Sequence, residues 1–518
     1  MFDPILITTI ILLYILFLLV LGLIIEKNIP LQKRFLNNPL SYSLALTVYL
    51  TSWTFYGSVG FAADYGLLFL TFYIGATLSA LLWWIILRKL IKVKNEYRIT
   101  SIADFISVRY RKSASIAAIV TTIAFIGSMP YIAIQLRAII STFAIITTPS
   151  GLAPETSQYV KQVGPLIVGS MIIFTIIIGV RRLDPTERHP GIIASIAFDG
   201  IIKLAAFLLV GFFICFSLFD GLHDIFHRFS HTSHVALANL IGPGKGSFSR
   251  WFVRLLLAMS AILFLPRQFH VGVIENSNKK HIRTAMWFLP LYMFLITFFT
   301  YPIAIAGLLK GYLPQEADFY VLKLPLDYGN PMLALIVFIG GFSAASGMVI
   351  ITSMTMATMI TNHLLLPLVD AFKGMNFIKK HLLQCRWVVV AVFIMIGYWF
   401  EQNIERSYLL VQIGSISFAA VFQFVPAIIG GLFWRKGNRT GAMLGLISGF
   451  VIWFYTLLLP LFIKSGWLDR GIVSYGPFGI EWLRPEQLFG IYFPDNLCHS
   501  VIWSISVNIV LYIIGSLL

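Results

Sequence analysis

Two interrupted apolar stretches carry the side chains best suited to hold a small molecule. They are Thr51-Ser52-Trp53-Thr54-Phe55-Tyr56-Gly57-Ser58-Val59-Gly60 and Leu265-Pro266-Arg267-Gln268-Phe269-His270. Hydroxyl groups in the first stretch could orient a solute and its aromatic rings could enclose it. The alternative is that the rings only pack between neighbouring helices. The solute-binding residues predicted in this stretch are Ser52, Trp53, Thr54 and Tyr56.

Two glutamines extend this candidate solute site. Gln268 lies in the second interrupted stretch, and Gln135 follows Pro130 in another apolar run. An amide inside a membrane either bonds to a ligand or joins two helices by a hydrogen bond. We predict that both glutamines bind the solute, with interhelical bonding as the alternative for Gln135.

One pair of opposite charges lies deep within an apolar run. Asp199 and Lys203 are four residues apart and therefore share one face of a helix. Charged side chains inside a bilayer are costly and usually serve a function. We predict that this pair takes part in ion coupling. A fixed ion pair that fastens two helices together is the structural alternative.

Other kinds of chemistry find little support in the sequence. The three cysteines are scattered and form no paired motif. His223, His227 and His231 have a metal-ligand spacing, but without a cysteine or second carboxylate nearby they predict an amphipathic cap. A Walker A loop, a kinase ATP lid and a histidine-kinase phosphorylation box are all missing. We predict no enzyme activity, no metal site and no cofactor.

The composition indicates that lipid is the main solvent of these elements. Of the 518 residues, 58% are hydrophobic and only 12% are charged, about half the charge of a soluble domain. Apolar runs of about 20 residues, each long enough to cross a bilayer, recur along the chain. The fold class predicted is an all-α polytopic membrane protein with about thirteen spans. They lie near 4–25, 41–62, 67–91, 115–147, 164–180, 189–218, 251–270, 284–309, 330–368, 384–402, 408–434, 438–463 and 496–518.

The net charge of +16 reports membrane orientation. Lysine and arginine are concentrated in alternate loops, beginning with the one after the first span. This positive-inside bias predicts a bacterial inner-membrane protein with a periplasmic N-terminus and a cytoplasmic C-terminus. The lipid bilayer and a small solute are therefore the expected partners, and nucleic acid is not.

Longer motifs connect the sequence to a known family. Two of them are Thr100-Ser101-Ile102-Ala103-Asp104-Phe105-Ile106-Ser107-Val108-Arg109-Tyr110 and Gly430-Gly431-Leu432-Phe433-Trp434-Arg435-Lys436-Gly437-Asn438-Arg439-Thr440-Gly441-Ala442. With these motifs, nearly all of residues 40–464 resembles the sodium:solute symporter family. Within it, the greatest likeness is to transporter-like domains at the front of bacterial sensor histidine kinases. That likeness is carried by Ser52–Gly57, Leu265–Val271, Glu275-Asn276 and Leu483-Arg484-Pro485.

The resemblance implies a LeuT-like core of two inverted five-helix repeats. Broken helices at the midplane would hold the solute, with a cation beside it. The implied divisions are an extra span and cytoplasmic link over 1–40, the first repeat over 41–218, a periplasmic loop over 219–250, the second repeat over 251–434 and extra C-terminal spans over 435–518.

The same resemblance implies where a coupling sodium ion would bind. Thr47 and Leu50 would supply backbone carbonyls, and Ser346 would supply a hydroxyl. The second hydroxyl of the family's site falls on Gly347, which has none. The coupling cation is therefore either sodium or a proton.

Two functions are compatible with this reading. The first is a symporter of a small polar solute, of the amino-acid class, driven by a sodium or proton gradient. The second is a solute-sensing module of a two-component sensor kinase, whose kinase would begin after Leu518 or belong to a separate chain. We expect transport, because nothing after Leu518 is present to pass on a signal.

Overall fold

The computed structural model describes residues 2–148, 158–181, 186, 188–232, 235, 237, 247–372, 374, 377–404 and 410–518. Regular structure in these residues is helical, with no β-strand among them. An apolar environment requires this, because a helix satisfies its own backbone hydrogen bonds where water cannot.

The N-terminal part begins with α1 (Pro4–Lys27) and the short α2 (Ile29–Leu36). Each of these helices begins with an aspartate or asparagine cap followed by a proline in the first turn. The next helix, α3, begins in the same way, and the side chain of its cap, Asn38, accepts a hydrogen bond from the Leu40 N–H. The helices over the predicted first repeat are α3 (Pro39–Ala45), α4 (Ser58–Tyr65), α5 (Leu70–Leu82), α6 (Ile86–Tyr97), α7 (Ile102–Arg109), α8 (Ala114–Thr147), α9 (Gln158–Phe174) and α10 (Pro190–Phe213).

The next helices lie over the predicted second repeat. A short helix, α11 (Leu222–Ser230), precedes it. Its helices are α12 (Ser247–Phe264), α13 (Pro266–Phe269), α14 (His281–Thr297), α15 (Thr300–Leu309), α16 (Tyr320–Asp327), α17 (Pro331–Ile360), α18 (Leu366–Ala371), α19 (Phe377–Lys380), α20 (Leu382–Asn403), α21 (Leu410–Phe422) and α22 (Val425–Phe433). The remaining helices are α23 (Arg439–Trp453), α24 (Leu459–Lys464), α25 (Gly471–Tyr475) and α26 (Asn496–Leu517).

Within the described residues, ten helices are long and apolar enough to cross a membrane, or eleven with the bent pair Phe248–Phe264 and Pro266–Ile274. The thirteen runs predicted from sequence exceed this number for two physical reasons. The second run is unwound near its middle, so that its two halves, α3 and α4, are each too short to cross a membrane, and α4 is followed by a 3₁₀ turn at Gly66 that leads into α5. The run near 164–180 forms the shorter apolar helix Val163–Gly179.

Candidate solute and ion site

The first interrupted helix changes conformation three times in quick succession. After α3 the chain forms a 3₁₀ turn over Leu46–Tyr49, passes through Leu50 in an extended conformation (φ −89°, ψ 101°) and continues as a wide π-type turn over Trp53–Gly57. An extended residue removes carbonyls from the helical hydrogen-bond ladder. The carbonyl groups around Leu50 are therefore available to other donors.

The second interruption lies at Leu265, between α12 and α13. Leu265 is extended (φ −56°, ψ 133°) because the following residue is Pro266, which disfavours helical geometry before it and lacks an N–H. The chain bends by 48° at this point. The sequence therefore predicted both breaks, at the stretches where proline, glycine and small hydroxyl residues cluster.

Trp53 lies within a cluster of aromatic rings. Its indole centroid is 4.5 Å from that of Phe418 in α21, 4.7 Å from that of Phe72 in α5 and 6.1 Å from that of Tyr131 in α8. The Trp53 Nε1–H has no hydrogen-bond partner among the described residues. A buried indole normally finds one, so this donor is suited to a solute.

Gln135 is joined to the first break. Its Oε1 accepts hydrogen bonds from the Ser52 hydroxyl at 2.7 Å and from the Ser52 N–H at 3.2 Å. Its Nε2 is buried without a partner in the described part of the chain. Thr54 is also buried. Tyr56 instead faces α17, where its hydroxyl donates to the Val337 carbonyl at 3.4 Å.

Arg267 is the residue of this region that the sequence reasoning did not select. It is 1% exposed, and its guanidinium lies 4.3 Å from the centroid of the Tyr131 ring. Its Nε and Nη2 have no hydrogen-bond partner in the described residues. The adjacent Gln268 donates weakly to the Leu46 carbonyl at 3.4 Å, while its Oε1 is unpartnered. The available signal was a charged residue inside an apolar run.

Lys203 reaches from α10 into the first break. Its Nζ donates to the carbonyl of Thr47 at 2.6 Å and to the carbonyl of Leu50 at 2.7 Å. The structure thus brings together three of the residues predicted for ion coupling. It does so without a hydrogen bond between Lys203 and Asp199.

Asp199 has its own set of partners. Its Oδ1 accepts from the Tyr14 hydroxyl of α1 and, at 2.9 Å, from the Ser343 hydroxyl of α17. Its Oδ2 has no partner among the described residues and faces Gly347, where an added Cβ would lie 2.8 Å away. The Ser346 hydroxyl donates to the Ser343 carbonyl at 3.3 Å.

A polar cluster ties the elements together on the predicted cytoplasmic side. Glu275 Oε1 accepts from the His189 N–H at 2.6 Å. Lys94 and Arg188 both donate to the Asn276 carbonyl at 3.1 Å. Burial, followed by the nearby Arg188, lowers the pKa of Lys94 to about 8. These bonds join the ends of α6 and α10 to the segment that follows α13.

Asp318 is a buried carboxylate on the opposite, predicted periplasmic side. Its Oδ2 accepts from the Leu410 N–H at 3.0 Å, whereas its Oδ1 has no partner in the described residues. A Cβ added to Gly60 would stand 1.9 Å from that Oδ1, so only glycine allows this approach. Desolvation raises the pKa of Asp318 to about 7.

Three known proteins are similar to this chain in sequence or in structure. A relative is the uncharacterised symporter YodF of Bacillus subtilis (strain 168), 22% identical over 388 residues, which are 73% of this chain and 71% of that protein. The structure of a Na⁺-coupled sialic acid symporter, substrate-bound and outward-open, superposes with a TM-score of 0.67 at 12% identity, covering 98% of this chain and 97% of that one. A manganese transporter of Eremococcus coleocola covers 95% of this chain and 96% of its own, at 14% identity and a TM-score of 0.49.

The superposition on the sialic acid symporter confirms the predicted all-α, LeuT-like fold. The family model described as the sodium:solute symporter family matches residues 38–449, which is most of the chain. The same family was inferred from the motifs in the sequence. This protein therefore belongs to the sodium:solute symporter family.

Proposed function

We propose that this protein is a secondary active symporter that carries a small solute bearing a carboxylate, of the amino-acid class, across the bacterial inner membrane. The gradient of a cation drives the uptake. The observation that carries the proposal is the buried guanidinium of Arg267, whose Nε and Nη2 have no hydrogen-bond partner among the residues that the structure describes. A guanidinium with two free N–H groups suits a carboxylate, which accepts hydrogen bonds at both oxygens.

Several unpartnered groups support a binding site around Arg267. The Nε1 of Trp53, the Nε2 of Gln135 and the Oε1 of Gln268 are all buried without a partner in the described residues. Native proteins leave few such groups unsatisfied. Two hydrogen-bond donors, from Trp53 and Gln135, and one acceptor, from Gln268, therefore lie beside the two helix breaks. An amino acid carries both acceptor and donor groups and matches this set.

A cleft on the predicted periplasmic side supports a route by which solute enters this site. The cleft has a volume of about 180 Å³ and lies between α4, α12, α21 and α24. Phe61 lines it, and the Phe61 ring lies 6.1 Å from the Phe72 ring, which contacts Trp53. We propose that these rings form the outer lid of the solute site.

The test is uptake by proteoliposomes that contain the full chain. A panel of radiolabelled amino acids, with matched amines that lack the carboxylate and acids that lack the amine, would be offered under separate sodium and proton gradients. We expect accumulation of at least one amino acid and none of its decarboxylated amine. Uptake of an amine equal to that of its amino acid would overturn the carboxylate assignment.

The sensing alternative is separated from transport in the same preparation. Solute binding is measured by isothermal titration, and uphill uptake is measured in parallel. A symporter binds and accumulates the solute. Binding without accumulation under either gradient would instead favour the module of a two-component sensor kinase.

A further inference from the structure

We infer that Lys203 fills the position that the family resemblance assigns to a coupling sodium ion, so that this position does not bind sodium. The inference deepens the proposed function, because it concerns the cation that acts beside the same solute site. It rests on the geometry of the first break, on the neighbouring helix α17 and on the local charges.

The first argument concerns the backbone ligands. The implied sodium ligands include the carbonyls of Thr47 and Leu50, and both accept a hydrogen bond from Lys203, at 2.6 and 2.7 Å. An ammonium group has three donors and therefore replaces a small cation among carbonyl oxygens. A sodium ion placed on these oxygens would meet the positive charge of Lys203 at contact distance.

The second argument concerns the hydroxyl ligands from α17. Ser346, the single implied hydroxyl, donates to the Ser343 carbonyl of its own helix at 3.3 Å. Gly347 offers no side chain, and the space beside it is taken by the Asp199 carboxylate, 2.8 Å from an added Cβ. A hard cation requires several oxygen ligands at once. The ligands that the resemblance implies on α17 are therefore reduced to the Ser346 hydroxyl, and the remaining oxygen nearby, Asp199 Oδ2, belongs to the residue four positions before Lys203.

The third argument explains how α10 delivers the lysine. A Cβ added to Gly200 would lie 2.5 Å from the Thr47 hydroxyl oxygen, so α10 packs directly against the unwound segment at this glycine. Lys203 follows three residues later and lies on nearly the same helix face. Its side chain therefore needs to span only a short distance to the carbonyls.

The local charges also oppose a further cation. The groups that face the pair of Asp199 and Lys203 include Tyr292 from α14, whose hydroxyl donates to the Gly200 carbonyl, and Tyr14 from α1 and Ser343 from α17, which both donate to Asp199. A sodium ion placed on the Thr47 and Leu50 carbonyls would lie beside the Lys203 ammonium and be repelled by it in this low-dielectric region.

The test measures ion binding in the purified full chain without solute. Thermal unfolding is followed while sodium chloride replaces choline chloride at constant ionic strength, for the wild type, Ser346→Ala, Lys203→Met and Lys203→Met with Ser346→Ala. We expect no sodium-specific shift in the wild type. Lys203→Met frees two carbonyls and leaves Asp199 without its cation, so sodium should raise its unfolding midpoint by several degrees. Ser346→Ala should reduce that gain.

Lys323→Met is the matched control, because it removes one lysine from a pair with Glu316 outside the candidate site. It should acquire no sodium response. A sodium-specific stabilisation of the wild type that Ser346→Ala abolishes would overturn the inference, and this arm does not depend on the folding of Lys203→Met. No arm of this ion-binding test requires solute, so its result is independent of the uptake test of the proposed function.

Discussion

The guanidinium of Arg267 lies over the ring of Tyr131, 4.3 Å from the ring centroid. The hydroxyl of the same tyrosine lies 3.1 Å from the hydroxyl oxygen of Thr51. One aromatic ring on α8 therefore contacts both interrupted helices. An aromatic face attracts a cation but leaves the in-plane N–H groups free. Arg267 is thus held in position by an aromatic ring, and no carboxylate in the described part of the chain forms an ion pair with it.

This relationship leads to a prediction for Arg267. Arg267→Gln removes the charge and should weaken binding of a carboxylate solute by roughly 10- to 100-fold, corresponding to about 1.5–3 kcal/mol for a charged hydrogen bond. Arg267→Lys keeps the charge but loses the paired N–H groups, so it should have an intermediate effect. Isothermal titration measures both. Equal affinity in Arg267→Gln and the wild type would contradict the assignment.

The aromatic cluster gives a second prediction. Trp53→Ala and Thr54→Ala should each weaken solute binding, by on the order of 1–3 kcal/mol, with expression near that of the wild type. Trp53→Phe retains most of the ring and tests the unpartnered Nε1–H alone. Trp399→Ala is a suitable control, because Trp399 is 55% exposed on the surface of α20. Wild-type affinity in both alanine variants would show that the solute binds elsewhere.

The sequence predicted the two helix breaks of the candidate site because their signals are local. Gly57, Pro266 and the surrounding small residues mark the breaks, and the spacing of Asp199 and Lys203 places them on one helix face. The partners of these residues could not be predicted in this way. Lys203 bonds to carbonyls about 150 residues earlier in the chain.

Long-range packing explains the other residues that sequence reasoning missed. Tyr14 reaches Asp199 from the first helix, which lies outside both predicted repeats. The environment of Arg267 depends on the approach of α8 to the second break, through Tyr131. Such contacts follow from how the helices pack, and no periodic pattern within one helix reports them.

A third prediction concerns the pH dependence of stability. The pKa of Asp318, raised to about 7 by burial, exceeds the ordinary aspartate value of about 4. Between these values the unfolded chain has lost the proton and the folded chain retains it. The contribution of Asp318 to stability therefore falls as pH rises from about 4 to 7, by up to about 1.4 kcal/mol per pH unit.

Asp318→Asn should remove this contribution and keep the bond from the Leu410 N–H. The unfolding midpoint of the variant should decline less steeply than that of the wild type between pH 4.5 and 7.5. Asp220→Asn, at an exposed position on the same predicted side, should retain the wild-type profile. Parallel profiles for Asp318→Asn and the wild type would contradict the prediction.

The last prediction is that Asp199 and Lys203 act together in ion coupling. Asp199 contacts α1 and α17 through Tyr14 and Ser343, whereas Lys203 contacts the first break through the Thr47 carbonyl. The pair therefore connects the broken helix with helices of both predicted repeats. A change of its charge would alter their relative stability, as coupling requires.

Three variants separate coupling from a structural role. Asp199→Asn leaves a buried cation without its carboxylate and should be less stable than Asp199→Asn with Lys203→Met, because an unpaired buried charge is costly. If the pair couples ion and solute movement, the double variant should fold, bind solute and exchange it downhill. It should not accumulate solute against a gradient. Solute binding, downhill exchange and uphill uptake would be measured for Asp199→Asn, for the double variant and for Lys203→Met. Full uphill accumulation by the double variant would show that the pair has only a structural role.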